Sequence, residues 1–284
     1  QDEMLDLYNA FSEMQEKLSK YMKNLETTIA AKEKIESELR IAHDIQMSML
    51  PKNFPPFPGP EIDLYAVLYP ARQVGGDLYD FFIHENTLFF AIGDVSGKGI
   101  PASLLMASTI SLLRTLSSGS NSPSQIAYSL NNSIAERNEA DMFVTFFIGM
   151  LDLRTGVMKY CNAGHTPPVL TSPDRTVAFF EMQSDLPLGI LKNHDYQEYT
   201  YRFVSGSGIL LYTDGVTDAE NEKNEFYTRE RLLEIVTQNQ ELHPREFIRS
   251  IINDIQSHIK SHELSDDLSM LTFIYGSEWN IKKS

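Results

Sequence analysis

The sequence predicts an α+β fold in which two packed sheets are flanked by helices, behind one long N-terminal helix. Three observations predict it. An apolar series at heptad spacing fills the first fifty residues, with no proline or glycine before Pro51. Segments rich in β-branched and aromatic residues then come in blocks separated by helix pairs, which is not the regular strand–helix alternation of a doubly wound sheet. Finally, aspartates recur in glycine-flanked turns at the ends of those segments.

The 284 residues, 42% hydrophobic and 11% aromatic, are enough for one large domain and an accessory segment. The net charge of -15 argues against nucleic acid or an anionic membrane surface as a partner. No apolar run is expected to span a bilayer. The single cysteine, Cys161, has no partner for an internal disulfide, which fits a reducing compartment, and a cytoplasmic location is expected. The chain starts at Gln1 in what reads as mid-helix, so an upstream domain is expected.

Residues 1–50 read as a dimerising or signalling linker. Steps of four and three from Leu7 pass through Phe11, Met14, Leu18, Tyr21, Leu25, Thr28, Lys32, Ile35, Leu39, Ala42, Gln46 and Met49. A continuous helix of this length extends about 70 Å, and a parallel homodimeric coiled coil is the simplest cover for its seam. The plainer alternative is an amphipathic helix folded back on the globular domain. Residues 51–60 follow as a stiff neck, since five prolines between Leu50 and Pro60 cannot continue a helix.

The globular domain is expected over 61–276, with 277–284 as a tail. Strands are predicted at 62–69, 78–83, 88–95, 144–153, 157–162, 177–180, 199–204, 208–213 and 268–275. Helices are predicted at 101–116, 123–137, 229–238 and 244–260. The turn Ile92-Gly93-Asp94-Val95-Ser96-Gly97-Lys98-Gly99 sits between a strand and a helix, and its glycines allow close backbone approach to a ligand. It is not a P-loop, because three residues rather than four separate Gly93 from Gly97, and Gly99 stands where a hydroxyl is needed.

Asp77 and Asp80, Asp94, Asp214 and Asp218, and Asp266 with Asp267 all lie in such turns. Any one of them alone reads as a turn-former. Together, hard oxygen ligands without neighbouring His or Cys suit magnesium or manganese. Two such ions can clamp phosphate oxygens and acidify a shared water, so no side-chain nucleophile is needed. Consistently, no Gly-x-Ser-x-Gly elbow is present.

Seven motifs in this order, Gly75-Gly76-Asp77-Leu78-Tyr79-Asp80, Gly93-Asp94-Val95-Ser96-Gly97-Lys98-Gly99, Met142-Phe143-Val144-Thr145, Asn162-Ala163-Gly164-His165-Thr166-Pro167-Pro168, Pro187-Leu188-Gly189-Ile190, Tyr212-Thr213-Asp214-Gly215-Val216-Thr217-Asp218-Ala219 and Asp266-Asp267-Leu268-Ser269, carry a resemblance. The chain resembles the metal-dependent serine/threonine protein phosphatases of the protein phosphatase 2C superfamily, in the bacterial branch that controls stress-response and sporulation sigma factors. The resemblance covers roughly residues 40–276, and Ile45 to Pro51 resembles that branch's junction between sensor linker and phosphatase. It implies two antiparallel sheets sandwiched between helical pairs and two Mn2+ or Mg2+ ions at one edge. The implied substrate is a phosphoserine or phosphothreonine of an anti-sigma-factor antagonist protein, hydrolysed by a metal-bridging water.

Carried over to this chain, the resemblance implies that Asp94 bridges both metals and that the Val95 carbonyl joins it. Asp77 holds one ion, and Asp214 with the Asp266-Asp267 pair holds the other, Asp266 being favoured as the direct ligand. Asp80, Asp218 and His165 stand behind these, His165 as a structural residue or a proton donor. Lys98 reads as an exposed loop lysine or as an anion contact. Leu78, Ser269 and the Phe226-Tyr227 pair depart from the usual pattern without removing a ligand. An upstream sensor is implied to act through the coiled coil on a switch formed by the helix pair after the central loop, including Pro101, Leu104, Leu105, Ala107 and Ser108.

Two other functions compete. A non-catalytic dimeric scaffold would keep the fold for binding, but its usual mark, loss of metal aspartates, is absent. Gly75-Gly76-Asp77 also resembles part of a diguanylate cyclase signature, but the acidic-aromatic continuation is missing and the later aspartates would have no purpose.

Overall fold

The computed structural model describes residues 2–52, 54, 62–119, 122–136, 138 and 141–276. Contacts divide the chain into two units, Gln1–Ile45 and Gln46–Ser284. Most of the expected neck and all of the tail lie outside the described residues.

The first unit is a single helix, α1, which runs over Asp2–Met49 and contributes its last turn to the second unit. Its seam residues Leu7, Phe11, Met14, Leu18, Tyr21, Leu25 and Ile35 are exposed. The i,i+4 pairs Glu13–Lys17, Lys32–Glu36 and Lys34–Glu38 add a few tenths of a kcal/mol each. Gln46, read from the heptads as a seam residue, is instead buried within the second unit.

Among its described residues, the second unit contains ten strands: β1 (Ile62–Tyr69), β2 (Leu78–His84), β3 (Thr87–Val95), β4 (Val144–Asp152), β5 (Val157–Ala163), β6 (Val169–Thr171), β7 (Val177–Phe179), β8 (Tyr199–Arg202), β9 (Gly208–Tyr212) and β10 (Leu268–Tyr275). They form two five-stranded sheets, ordered β1-β10-β9-β6-β7 and β2-β3-β4-β5-β8, with every paired strand antiparallel. The sheets stack face to face, with Phe90 of β3 meeting Phe273 of β10 edge-on at 5.1 Å between centroids.

Two helices, α2 (Ile100–Ser117) and α3 (Pro123–Ala135), pack on β3, β4 and β5. The other two, α4 (Arg229–Asn239) and α5 (Pro244–Ile259), cover the second sheet at β1, β7 and β10. The layers are therefore helix pair, sheet, sheet, helix pair. Position in the layers explains the patterns: β1 alternates buried and half-exposed residues, whereas central β3 is buried on both faces. In α5, Pro244 presets the first turn, and Phe247, Ile248, Ile251, Ile255 and Ile259 make the apolar stripe.

Three differences from the sequence reading have local causes. Strand β6 is three residues long and follows Pro167-Pro168, too short to show a period of two. Strand β9 stops at Tyr212, because a 3-10 turn starts at Asp214. Lastly, α2 is by length and composition apolar enough to cross a bilayer, contrary to the expectation of no such run. Its Ala102, Met106, Ile110 and Leu113 are buried in the layered core, the packing of a core helix.

Candidate metal centre

The aspartate turns come from both sheets and meet at one edge of the sandwich. Asp77 follows Gly75-Gly76 at the entry to β2, and Asp94 lies in β3, paired in register with Thr145 of β4. Asp214 opens the 3-10 turn after β9, and Asp266-Asp267 precede β10. Antiparallel pairing of β2 with β3 and of β9 with β10 brings these strand ends together in pairs, and stacking of the sheets brings the pairs to each other.

The turns interlock tightly. The Asp267 carboxylate accepts hydrogen bonds from the N–H groups of Ala71 at 2.8 Å, Gly76 at 2.6 Å and Asp77 at 3.4 Å. A Cβ on Gly75 would overlap that carboxylate, and one on Gly215 would overlap the Asp267 carbonyl. Glycine is required there by close approach. Asp267 is thus a buried anchor for the turn that carries Asp77, while Asp266 stays partly open and pairs with Lys98 at 2.8 Å. Lys98 also donates to the Ser265 carbonyl at 2.6 Å.

The electrostatics record the convergence. Burial, then the Asp94 and Asp267 charges, hold the Asp77 carboxyl well above its usual range. Burial and the Asp214 charge push Asp94 up to about 7, against a hydrogen bond with Asp77 that lowers it. Asp214 is also raised, by loss of hydration and then by Asp266 and Asp218, although its side chain is exposed. A divalent cation would relieve this repulsion, and the all-oxygen donor set fits magnesium or manganese. Among the described residues, no three acidic, His or Cys side chains are preformed as a cation cage; the carboxylates are grouped but not drawn onto one point.

The remaining candidates fall around this cluster. Asp80 is buried and held by both Nε and Nη2 of Arg114 on α2; burial still raises its carboxyl despite that partner. Asp218 is exposed beyond the turn and accepts from Thr217. His165 is fully enclosed and pushed down to about 4 by burial. Its Nε2 donates to the Tyr212 carbonyl and its Nδ1 accepts from Thr145 Oγ1, both at 3.1 Å. It is a neutral link between the sheets. Of the switch residues, Pro101, Leu104 and Ser108 are exposed, whereas Leu105 and Ala107 are half-buried.

Three residues gave no separate signal in the sequence. Thr213 donates to Asp77 Oδ2 at 2.7 Å, Arg114 clamps Asp80, and Gln46 exchanges two hydrogen bonds with the backbone of Gly75. Thr213 lies inside a motif and was open to notice; the other two are distant in sequence from what they hold.

Comparison with known proteins agrees with this architecture. The chain is 29% identical over 247 residues to phosphoserine phosphatase RsbU of Bacillus subtilis, covering 87% of this chain and 72% of that one. It is 30% identical over 304 residues to protein IcfG of Synechocystis, covering 95% of this chain but 46% of that one. In fold it is similar to the SiaA-PP2C domain of Pseudomonas aeruginosa, with a TM-score of 0.76 at 19% identity, covering 87% of this chain and 99% of that one. The profile of the stage II sporulation protein E (SpoIIE) family matches residues 84–274, the span from the end of β2 to the end of β10, and the chain belongs to that family.

Proposed function

We propose that this chain is a manganese- or magnesium-dependent protein-serine/threonine phosphatase acting on a phosphorylated anti-sigma-factor antagonist. One observation carries the reading. Asp77, Asp94 and Asp214 are delivered by separate turns of two sheets to one partly dehydrated cluster, where Thr213 and Asp267 tie the Asp77 turn to the β9 and β10 ends, and burial first, then neighbouring carboxylates, raise all three carboxyls. A cluster of this kind is costly without a cation, and this family's phosphatase relatives supply the chemistry that makes use of one.

Asp77, Asp94, Asp214 and Asp266, with the Val95 carbonyl, would hold two ions, and Asp267 would keep the Asp77 turn in place. Two divalent ions bound there supply phosphate affinity and an acidified water. His165, neutral and enclosed, holds Tyr212 and Thr145 together, and its one ring proton is committed to the Tyr212 carbonyl. Lys98 is committed to Asp266, so recognition of the partner falls to protein surface beyond the carboxylates.

The regulatory part of the proposal concerns α1 and α2. The exposed heptad seam pairs with a second copy in a parallel coiled coil, which transmits the state of an upstream sensor. The switch helix reaches the centre through two contacts: α2 begins six residues after Asp94, and Arg114 near its end grips Asp80 at the start of β2. A cytoplasmic location accompanies this reading, in keeping with the lone, buried Cys161.

The test is hydrolysis of p-nitrophenyl phosphate by the whole chain with manganese, with and without EDTA, beside Asp94→Asn. Manganese-dependent turnover that the variant loses is the expected result. Turnover equal in the two proteins, or unaffected by EDTA, would overturn the phosphatase reading.

A further inference from the structure

We infer that Thr213 fixes the rotation of the Asp77 carboxylate, favours its coordination through one oxygen, and so selects the centre against large cations such as calcium. The inference rests on the proposed cation-binding role of Asp77. Thr213 is wholly buried at the end of β9 and lies in ordinary extended backbone. Its hydroxyl oxygen accepts from Ser269 N at 3.0 Å, and its own N–H donates to the Ser269 carbonyl at 3.1 Å. The side chain is thereby held against β10, and the hydroxyl proton is left for one acceptor.

That acceptor is Asp77 Oδ2, at 2.7 Å; the alternative, the Asp267 carbonyl, is at 3.5 Å, too far to compete. Asp77 is itself buried, and its backbone N–H is tied to Asp267, so the carboxylate has little room to turn. Oδ2 already accepts one hydrogen bond from Thr213, which fixes the rotation of the carboxylate and leaves Oδ1 the freer oxygen for a cation. Calcium takes six to eight oxygens and commonly both oxygens of a carboxylate, whereas magnesium demands near-octahedral geometry from single oxygens, and manganese shares that geometry. A carboxylate with one oxygen already engaged suits the second class. Replacing the hydroxyl by a methyl, as in Thr213→Val, frees Oδ2 at nearly constant volume.

The experiment is titration calorimetry of Mn2+ and Ca2+ into the metal-free whole chain, comparing wild type, Thr213→Val and Thr213→Ser, with metal-free melting temperatures as a check on folding. Thr213→Val is expected to weaken Mn2+ by tenfold or more, the usual cost of losing a residue that orients a ligand. Ca2+ binding is expected to stay within about twofold or to tighten, so that the Mn2+/Ca2+ preference falls by at least about tenfold; Thr213→Ser should restore it. Parallel weakening of both ions, or an unchanged preference in a folded variant, would overturn the inference. A wild type that binds no Mn2+ would overturn the metal-centre reading and this inference with it, an outcome distinct from the other two. If Thr213→Val does not fold, Thr213→Ala removes the same hydroxyl and carries the same comparison.

Discussion

Gln46 and Gly75 are joined by two hydrogen bonds, Gln46 Nε2 to the Gly75 carbonyl at 2.7 Å and Gly75 N–H to Gln46 Oε1 at 3.2 Å. The last turn of α1 therefore touches the backbone two residues before Asp77. Both Gly75 groups are buried, so a side chain that matches donor and acceptor together is needed there.

Removing that side chain exposes the dependence. Gln46→Ala leaves a buried N–H and a buried C=O without their partner, a cost of roughly 1–3 kcal/mol. Chemical denaturation should show that loss, and amide hydrogen exchange should quicken at residues 75–77. Unchanged exchange there would mean that the two hydrogen bonds do not hold the turn.

The Asp94 carboxyl gives a pH signature. Its folded pKa, about 7, lies above the value of about 3.9 expected in the unfolded chain. A raised folded pKa means that the folded state binds the proton more tightly. That contribution to stability is complete below about pH 4 and is lost as pH rises through 7. Asp94→Asn removes the ionisation, so the metal-free variant should exceed wild type in stability by on the order of 1 kcal/mol or more at pH 8. The gap should narrow at pH 5 to well under half its size at pH 8 and close only below about pH 4, and melting curves at pH 8 and pH 5 decide the matter.

His165 works in the opposite sense. Its folded pKa of about 4 lies below the usual value of about 6.5, so its contribution is complete above 6.5 and is lost as pH falls toward 4. The full loss is about 3 kcal/mol. His165→Gln should flatten this acid limb. In the wild type, nitrogen-detected NMR should show a neutral ring with the proton on Nε2, and a ring titrating between pH 5.5 and 8 would contradict the assignment.

Arg114 and Asp80 form a pair of unequal exposure, the arginine side chain 45% exposed and the aspartate 1%. Arg114→Leu leaves a buried carboxylate without its counter-charge. The cost should be roughly 2 kcal/mol or more, below the range for a fully buried pair because Arg114 is partly solvated. Asp80→Asn in the same chain should recover much of it. Simple additivity in this double-mutant cycle would show that the pair is not coupled.

The coiled-coil proposal is checked by sedimentation. Leu18→Asp with Leu25→Asp places charges on the exposed seam of α1 and should convert a dimer into a monomer at micromolar concentration. A phosphatase rate at saturating manganese that differs between the two forms is the outcome expected of a signalling linker.

How much of this was legible in the sequence depends on distance along the chain. A period of 3.5 over the first fifty residues, alternation along β1, and aspartates beside glycines are local patterns, and each dictated a helix, a strand or a turn with nearly the observed ends. Local chemistry also chose the class of ligand, because carboxylates without His or Cys call for hard cations. What the sequence could not decide is which turns meet. Asp77 and Asp267 are 190 residues apart, and only the stacking of two sheets puts one carboxylate on the other's backbone N–H. The same packing divided the Asp266-Asp267 pair into an open side chain beside Lys98 and a buried anchor. It also made Gln46 part of the globular unit. Periodicity depends on neighbours a few bonds away, whereas burial and charge proximity, which set these roles, arise only when distant segments share the same space.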